Sequence, residues 1–425
     1  MKNLFCIKSQ SESPPSVSPW CRHGRQRPWR LTFACLIFLV SRFLAPSAPA
    51  ASDSIPVVGG AETAPAVPAG PIFKPNGRLC YDVAFYNENR NRLDNGTMLR
   101  FGRVGGRMQI QPDLTAALDV NFNNGKVAVD EAWGEYRGRL VVVKGGFFKE
   151  PLGLEVLSSV LNLAFMERSL PFALSPFRKT GFTLARNKAL YTVTVGLFNG
   201  DIVHGDGEQG FAVTGRATFA PHFSEAGRLH FGAGVSRRTA NADTSGARSV
   251  SFDAAPESRV DGTRFLNTGG IAGADYALTA EFEAAVRWQR VRIYSEYWVT
   301  EVRRSAGLAE PHFEGGYLAA DVVLWGNQRD YVESSGVFGK VRPTSRGALE
   351  LAGRVSWLDL NDSKASIDGG KGREYTLAVN WYFNSHIRWM MDYGIVENDA
   401  AADGAGDLRA DDDYTFVQCR LQMSY

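Results

Sequence analysis

From residue 78 to the last residue, apolar and polar side chains alternate with a period of two. LCYDVAFY places Leu79, Tyr81, Val83 and Phe85 on one face and Cys80, Asp82 and Ala84 on the other. YTLAVNWYF separates Tyr375, Leu377, Val379, Trp381 and Phe383 from Thr376, Ala378, Asn380 and Tyr382, and IRWMMDYGI repeats the pattern. Because successive side chains of a strand point to opposite faces, this period predicts β-strands and excludes a helical bundle. Sixteen such segments are expected, at about 79–87, 97–110, 114–122, 127–137, 139–148, 179–187, 189–199, 210–221, 228–238, 275–286, 290–302, 313–326, 347–359, 372–383, 386–397 and 413–425.

The connections alternate in length. Gln111-Pro112-Asp113, Gly138, Asn187-Lys188, Arg287-Trp288-Gln289 and Asn384-Ser385 are short, whereas 87–96, 199–210, 239–274, 359–372 and 398–413 are long and polar. An even number of antiparallel strands with short turns at one end and long loops at the other is the pattern of an outer-membrane barrel. Lipid offers no partner to backbone N–H and C=O groups, so a sheet in it must close on itself. The expected fold is therefore all-β: a sixteen-stranded antiparallel transmembrane outer-membrane β-barrel with an inward-folded constriction loop at 150–178. A soluble β-sandwich shares the periodicity but would need its apolar faces to meet in a dry core. Segment 327–346 stands where a short turn belongs and is expected to fold back under or into the barrel. The last strand, YTFVQCRLQMSY, ends on an aromatic residue and resembles the terminal recognition sequence of bacterial outer-membrane proteins.

The N-terminal part reads as an export signal. Arg22, Arg25, Arg27 and Arg30 precede the apolar stretch LTFACLIFLV, and Ala48-Pro49-Ala50 offers a small-residue cleavage site. Residues 1–50 are thus expected to be a signal peptide, residues 51–77 an Ala/Pro-rich linker, and residues 78–425 the barrel. Residues 1–50 hold seven Lys/Arg and one acid, so the net charge of +2 becomes −4 once they are set aside, and the basic balance says nothing about a nucleic-acid partner. Cys80 and Cys419 fall on opposite faces of their strands and are not expected to bridge.

The stretch FKEPLGLEVLSSVLNLAFMERSLP (148–171) interrupts the alternation with apolar and charged residues in no strand period. A structureless connection of this length needs a reason. A constriction loop supplies one, with apolar residues against the inner wall and polar ones toward water. GGFFKEPLGLE (145–155), FMERSLP (165–171), Ser335 to Pro343, LDLND (358–362) and YTLAVNWYFN (375–384) together resemble the phosphate- and polyphosphate-selective porin family, the porin O and P type, over roughly 78–425. The resemblance implies an outer-membrane channel for small anions, phosphate or polyphosphate among them. It further implies a homotrimer; lipid and lipopolysaccharide are the expected surroundings, no cofactor is expected, and no enzymatic activity either, because His222, His230 and His386 have no evident Ser or acid partners in the sequence.

Selectivity in a pore is set by charge where the path is narrowest. Alternation puts Lys144, Arg216, Arg290, Arg292, Arg354 and Arg388 on inner faces, and the inward loop adds Lys149, Arg168, Arg178 and Lys179. These are the candidate pore and anion contacts, Arg being suited to oxyanions by its planar fork. The same faces carry Asp119, Glu131, Glu135, Glu281, Glu283, Glu350 and Asp392, with which the bases can simply pair. The alternatives are a general porin or a structural surface barrel without phosphate preference. The run Asp407 to Asp413 reads as a solvated loop, and Gly205 to Gly210 matches a nucleotide-binding spacing in an acidic loop with no helix to follow it.

Overall fold

The computed structural model describes residues 70–425 apart from 88–89, 124–125, 203–206 and 306. The expected signal peptide and residues 51–69 of the expected linker lie outside the described residues. Each alternating segment forms a long strand: β1 Ile72–Asn87, β2 Gly96–Gln111, β3 Leu114–Asn123, β4 Lys126–Arg137, β5 Val142–Lys149, β6 Arg178–Asn187, β7 Tyr191–Phe198 and β8 Ala212–Phe219. Then come β9 Gly227–Thr239, β10 Ala274–Trp288, β11 Val291–Arg304, β12 His312–Trp325, β13 Ala348–Asp362, β14 Ile367–Tyr382, β15 Ile387–Asn398 and β16 Tyr414–Ser424. Every strand pairs antiparallel with its neighbour in sequence. β16 returns to β1 from Arg78↔Ser424 to Asn87↔Thr415, which closes the barrel and leaves no open edge.

The faces are inverted relative to a soluble protein. Leu79, Tyr81 and Phe85 on β1 are exposed, while Cys80, Asp82 and Ala84 between them are buried. Polar side chains therefore face inward and apolar ones outward, as a lipid surround requires. Phe219, Trp288, Trp325, Trp381, Phe383 and Tyr425 are exposed at the short-turn end, where Trp325 and Trp381 stack edge-on at 5.6 Å. This is an aromatic girdle of the kind that sits at a membrane interface. Among the described residues no helix is long and apolar enough to cross a membrane; the strands make the crossing. Cys80 and Cys419 are both free.

Three boundaries differ from expectation. β1 begins at Ile72, so residues 72–77, read as linker, are strand and pair with β2 from Ile72↔Gln109. Residues 359–372, read as a long loop, are mostly strand: β13 and β14 continue to Asp362 and from Ile367, pairing up to Asp362↔Ile367. The polar composition misled because strands that project beyond the membrane need no apolar face. The acidic run is in part structural, since buried Asp412 accepts from the backbone of Arg90 and Asn91 at 2.8 and 2.7 Å. Segment 326–347 does turn inward: Arg329 is buried and donates to Glu350, and Val337 and Phe338 pack on Leu154 and Phe165.

Candidate functional site

The wide bore of the barrel is filled unevenly. Segment 150–177 leaves β5 at Lys149 and crosses to the opposite wall, with its base closed by Glu150 N donating to Phe177 O at 2.7 Å. Leu152, Val156, Leu170 and Leu174 pack on Trp298, Val302, Phe313 and Leu358, and Leu154 and Phe165 pack on Tyr294, Tyr317 and Ala319. The segment's apolar run is thus explained: it buries itself against inner-wall aromatics of β11 to β13.

Polar anchors fix the register. The amides of Leu154 and Glu155 donate to the Glu296 carboxylate at 2.6 and 3.0 Å, and that of Gly153 donates to Glu281 at 3.2 Å. Gly153 has φ +90°, and a Cβ there would lie 2.5 Å from Trp298. The turn therefore requires glycine both for its backbone and for its close approach. Met166 N donates to Asp392 at 2.8 Å, and Asn380 donates to Ala164 O at 2.7 Å. Glu150 is held by Thr214, Ser236 and Arg238. Burial would raise the Glu167 carboxyl, but Arg100 and Arg420, each within 3 Å, hold it well below the usual carboxylate range, with Arg259 farther off. A second stretch, around Glu257 in the long outer connection, also enters the bore. Glu257 accepts from Arg354, Ser356 and Thr376, and its backbone O accepts from Gln418.

These insertions divide the candidate contacts into two groups. Arg216, Arg292 and Arg354 face inward but are buried and engaged. Arg216 forks onto Glu283 at 2.6 and 2.7 Å, Arg292 holds Asp321 at 2.9 and 2.5 Å, and Arg354 bridges Glu155 at 2.9 Å and Glu257 at 2.5 Å. Arg168 is buried inside the loop, where it donates only to the carbonyls of Glu155, Val156 and Ser158, and burial lowers its pKa to about 10. Arg388 is buried under the loop at the short-turn end. Arg290 does not face the bore: it is exposed in the turn between β10 and β11 and donates to Leu324 O. Its parity matched an inner face, but the strand begins only at Val291. Lys179 pairs with Asp201 at 2.7 Å.

Lys144, Lys149 and Arg178 belong to the other group, on the wall made by β1 to β6, where all three stay half-exposed. The same wall carries Arg78, Arg103, Arg107 and Arg137 beside Asp119, Asp130, Glu131 and Glu135, while its Arg100 and Asp82 are engaged by Glu167 and Arg420. Arg103 is held by Asp119 and Asp130, Arg178 reaches Asp130 at 3.1 Å, and Arg137 pairs with Glu135. Arg78, Arg107, Lys144 and Lys149 have no carboxylate oxygen within 4 Å among the described residues. The Lys144 ammonium stands 3.9 Å from the Trp133 ring centre, and Lys149 donates to Ser158 O at 2.8 Å. Arg78, Arg103 and Arg107 escaped sequence reasoning. Arg78 precedes the first segment as delimited there, and RFGRVGGRMQI hides its alternation behind glycines.

A closed barrel with a lipid-facing skin, a charged inner wall and a loop laid across its bore is the architecture of an outer-membrane porin. The sequence agrees: a family model described as phosphate-selective porin O and P matches residues 73–425, and the chain belongs to that family. It is 25% identical over 392 residues to Porin O of Pseudomonas aeruginosa, across 83% of this chain and 88% of that protein. Among solved structures, the anion-selective porin of Comamonas acidovorans superposes with a TM-score of 0.55 at 12% identity, covering 84% of this chain and all of that one. The trimer form of OmpT from Vibrio cholerae gives 0.53 at 12% identity, with coverage of 84% and 100%. The protein is an outer-membrane channel of the porin class.

Proposed function

We propose that this channel passes small anions, phosphate among them, along the wall of β1 to β6. The observation that carries the reading is the segregation of unpaired charge. Where the inner wall is buried under the inserted segments, its arginines are mostly matched by carboxylates. Where it stays open, Arg78, Arg107, Lys144 and Lys149 face the lumen without an acid within 4 Å. A path lined by excess cationic groups and walled by low-dielectric protein concentrates anions. The Porin O relative and the anion-selective Comamonas porin are in keeping with this reading. Export by the 1–50 leader and assembly as a homotrimer, the form named for the Vibrio cholerae structure, belong to the same proposal, as does contact of the outer loops with lipopolysaccharide.

The test is the reversal potential of the purified channel in a salt gradient across a planar bilayer. One unit charge about 5 Å from an ion in water contributes about 0.8 kcal/mol, roughly a fourfold change in local anion concentration. Because the same charge repels cations equally, Arg78→Gln and Lys144→Gln should each lower the anion-to-cation permeability ratio by up to about the square of that factor. A wild-type channel that passes cations better would end the anion reading and leave the porin intact. An absence of conductance would favour a structural barrel.

A further inference from the structure

We propose that Arg388 and Lys340 form a site for one small tetrahedral oxyanion at the short-turn end of the barrel, where the bound anion ties the inward segment 326–347 to the wall. This goes beyond conduction: the ligand is a resident bridge, outside the half-exposed wall assigned to permeation.

Arg388 is 2% exposed, and Nε, Nη1 and Nη2 all lack a hydrogen-bond partner among the described residues. Leaving a buried guanidinium without hydrogen bonds is costly, and every other fully buried arginine of the inner wall has acceptors. Its nearest carboxylate oxygen, on Glu350, is 3.7 Å away and already serves other donors. Glu350 accepts from Arg329 at 2.6 Å and from Tyr382 at 2.9 Å. The neighbouring Asp321 is taken by Arg292. Within 4 Å, the guanidinium groups of Arg292, Arg329 and Arg388 share only the two carboxylates of Asp321 and Glu350, and Arg388 is the one left without a hydrogen-bonded acid.

Arg388 lines a cavity of about 70 Å³ with Asn162, Lys340, Tyr382, His386 and Gln422. A single water needs only about 10–15 Å³ of such space, so the cavity has room for several waters or one compact polyatomic anion. Lys340 supplies a second cationic group from the inward segment itself. Gln422 is 5% exposed with its Oε1 also unpartnered, and its amide can be turned to donate. Two cationic donors and an amide around a small cavity suit an oxyanion with several acceptors, because Arg and Lys make charge-assisted bonds to such oxygens.

The experiment is thermal unfolding of the full chain refolded in detergent, in chloride and in inorganic phosphate at equal ionic strength. Phosphate at roughly tenfold its dissociation constant should raise the midpoint by about 2–4 °C relative to chloride. Arg388→Met should abolish that shift. It should not lower the midpoint in chloride, because it removes an uncompensated charge. Lys340→Gln, on an exposed residue that cannot compromise the barrel, should need roughly tenfold more phosphate for the same shift. Arg78→Gln, which alters permeation, should keep the shift, so failure of this site and failure of the anion-channel reading are separable. Equal phosphate shifts in wild type and Arg388→Met, or no shift in wild type, would overturn the proposal.

Discussion

Arg354 was a candidate pore contact, and the structure gives it a different task that can be tested quantitatively. Its guanidinium is 1% exposed and holds two insertions at once: Glu155 and the Glu167 carbonyl of the 150–177 loop, and Glu257 of the outer segment. Arg354→Met keeps the length of the side chain and removes the charge. Glu155 would retain Ser169, and Glu257 would retain Ser356 and Thr376, but both carboxylates would lose their cation in a buried setting. Removing one partner of a buried ion pair costs about 3–5 kcal/mol. The retained hydroxyl and amide bonds place this case near the lower end, about 3 kcal/mol. At 1.4 kcal/mol per decade, that raises the undocked fraction of the loops by roughly two orders of magnitude. The barrel ladder does not involve Arg354's side chain, so the strands should stay intact. The assay is single-channel recording together with limited proteolysis. The variant should show a larger mean conductance, more open-channel noise and new cleavage within 150–177 or 251–268. Neutralising the stranded acids, in Arg354→Met with Glu155→Gln and Glu257→Gln, should recover part of the quiet state. An unchanged conductance and unchanged protease resistance in Arg354→Met would refute the claim that this residue latches the loops.

Other expectations follow from the same geometry. Gly153→Ala places a Cβ against Trp298 at a positive φ, a strain of about 1–3 kcal/mol, and should loosen the loop's first turn; single-channel noise above wild type checks it. Glu167 has a depressed carboxyl, so its contribution to docking is complete above the ordinary carboxylate range and is lost only as pH falls through its lowered folded value. The difference in conductance noise between wild type and Glu167→Gln should therefore stay constant from neutral pH down to about pH 5 and shrink only below it, and a difference already lost above about pH 5 would contradict the assigned pairing. Replacing the pair Trp325 and Trp381 by Leu should weaken anchoring at the short-turn interface and lower the thermal midpoint in lipid more than in detergent.

The barrel was legible because a strand with lipid on one side and water on the other must alternate, and most of the sixteen segments did so plainly. The inward loop was legible from its broken period and its apolar content. What could not be read was which inner charges meet. Arg216 and Glu283 are 67 residues apart, Arg354 and Glu155 are 199 apart, and their pairing depends on how the loops fill the bore. Parity placed Arg216, Arg292 and Arg354 on the inner face but could not say that the inserted segments cover them. Conversely, Arg78 has a weak local signal because its significance lies in the lack of an opposing acid, a property of the folded wall. The entry of Glu257 into the bore carried no sequence signal, since its surroundings, FDAAPESRVDG, read as an ordinary polar outer connection.

The seam between β1 and β16 joins Asp82 to Arg420, partners separated by 338 positions. A nascent or translocating chain cannot form this contact until nearly all of it has arrived, so any shorter sheet would present two raw margins to hydrocarbon. Insertion and closure must then be almost one event, with the slow step being the search that brings head to tail. Lesions along this join, Arg420→Ala foremost, should therefore leave material stalled outside the bilayer and exposed to degradation, while lesions deep in the plug should yield inserted but leaky cylinders.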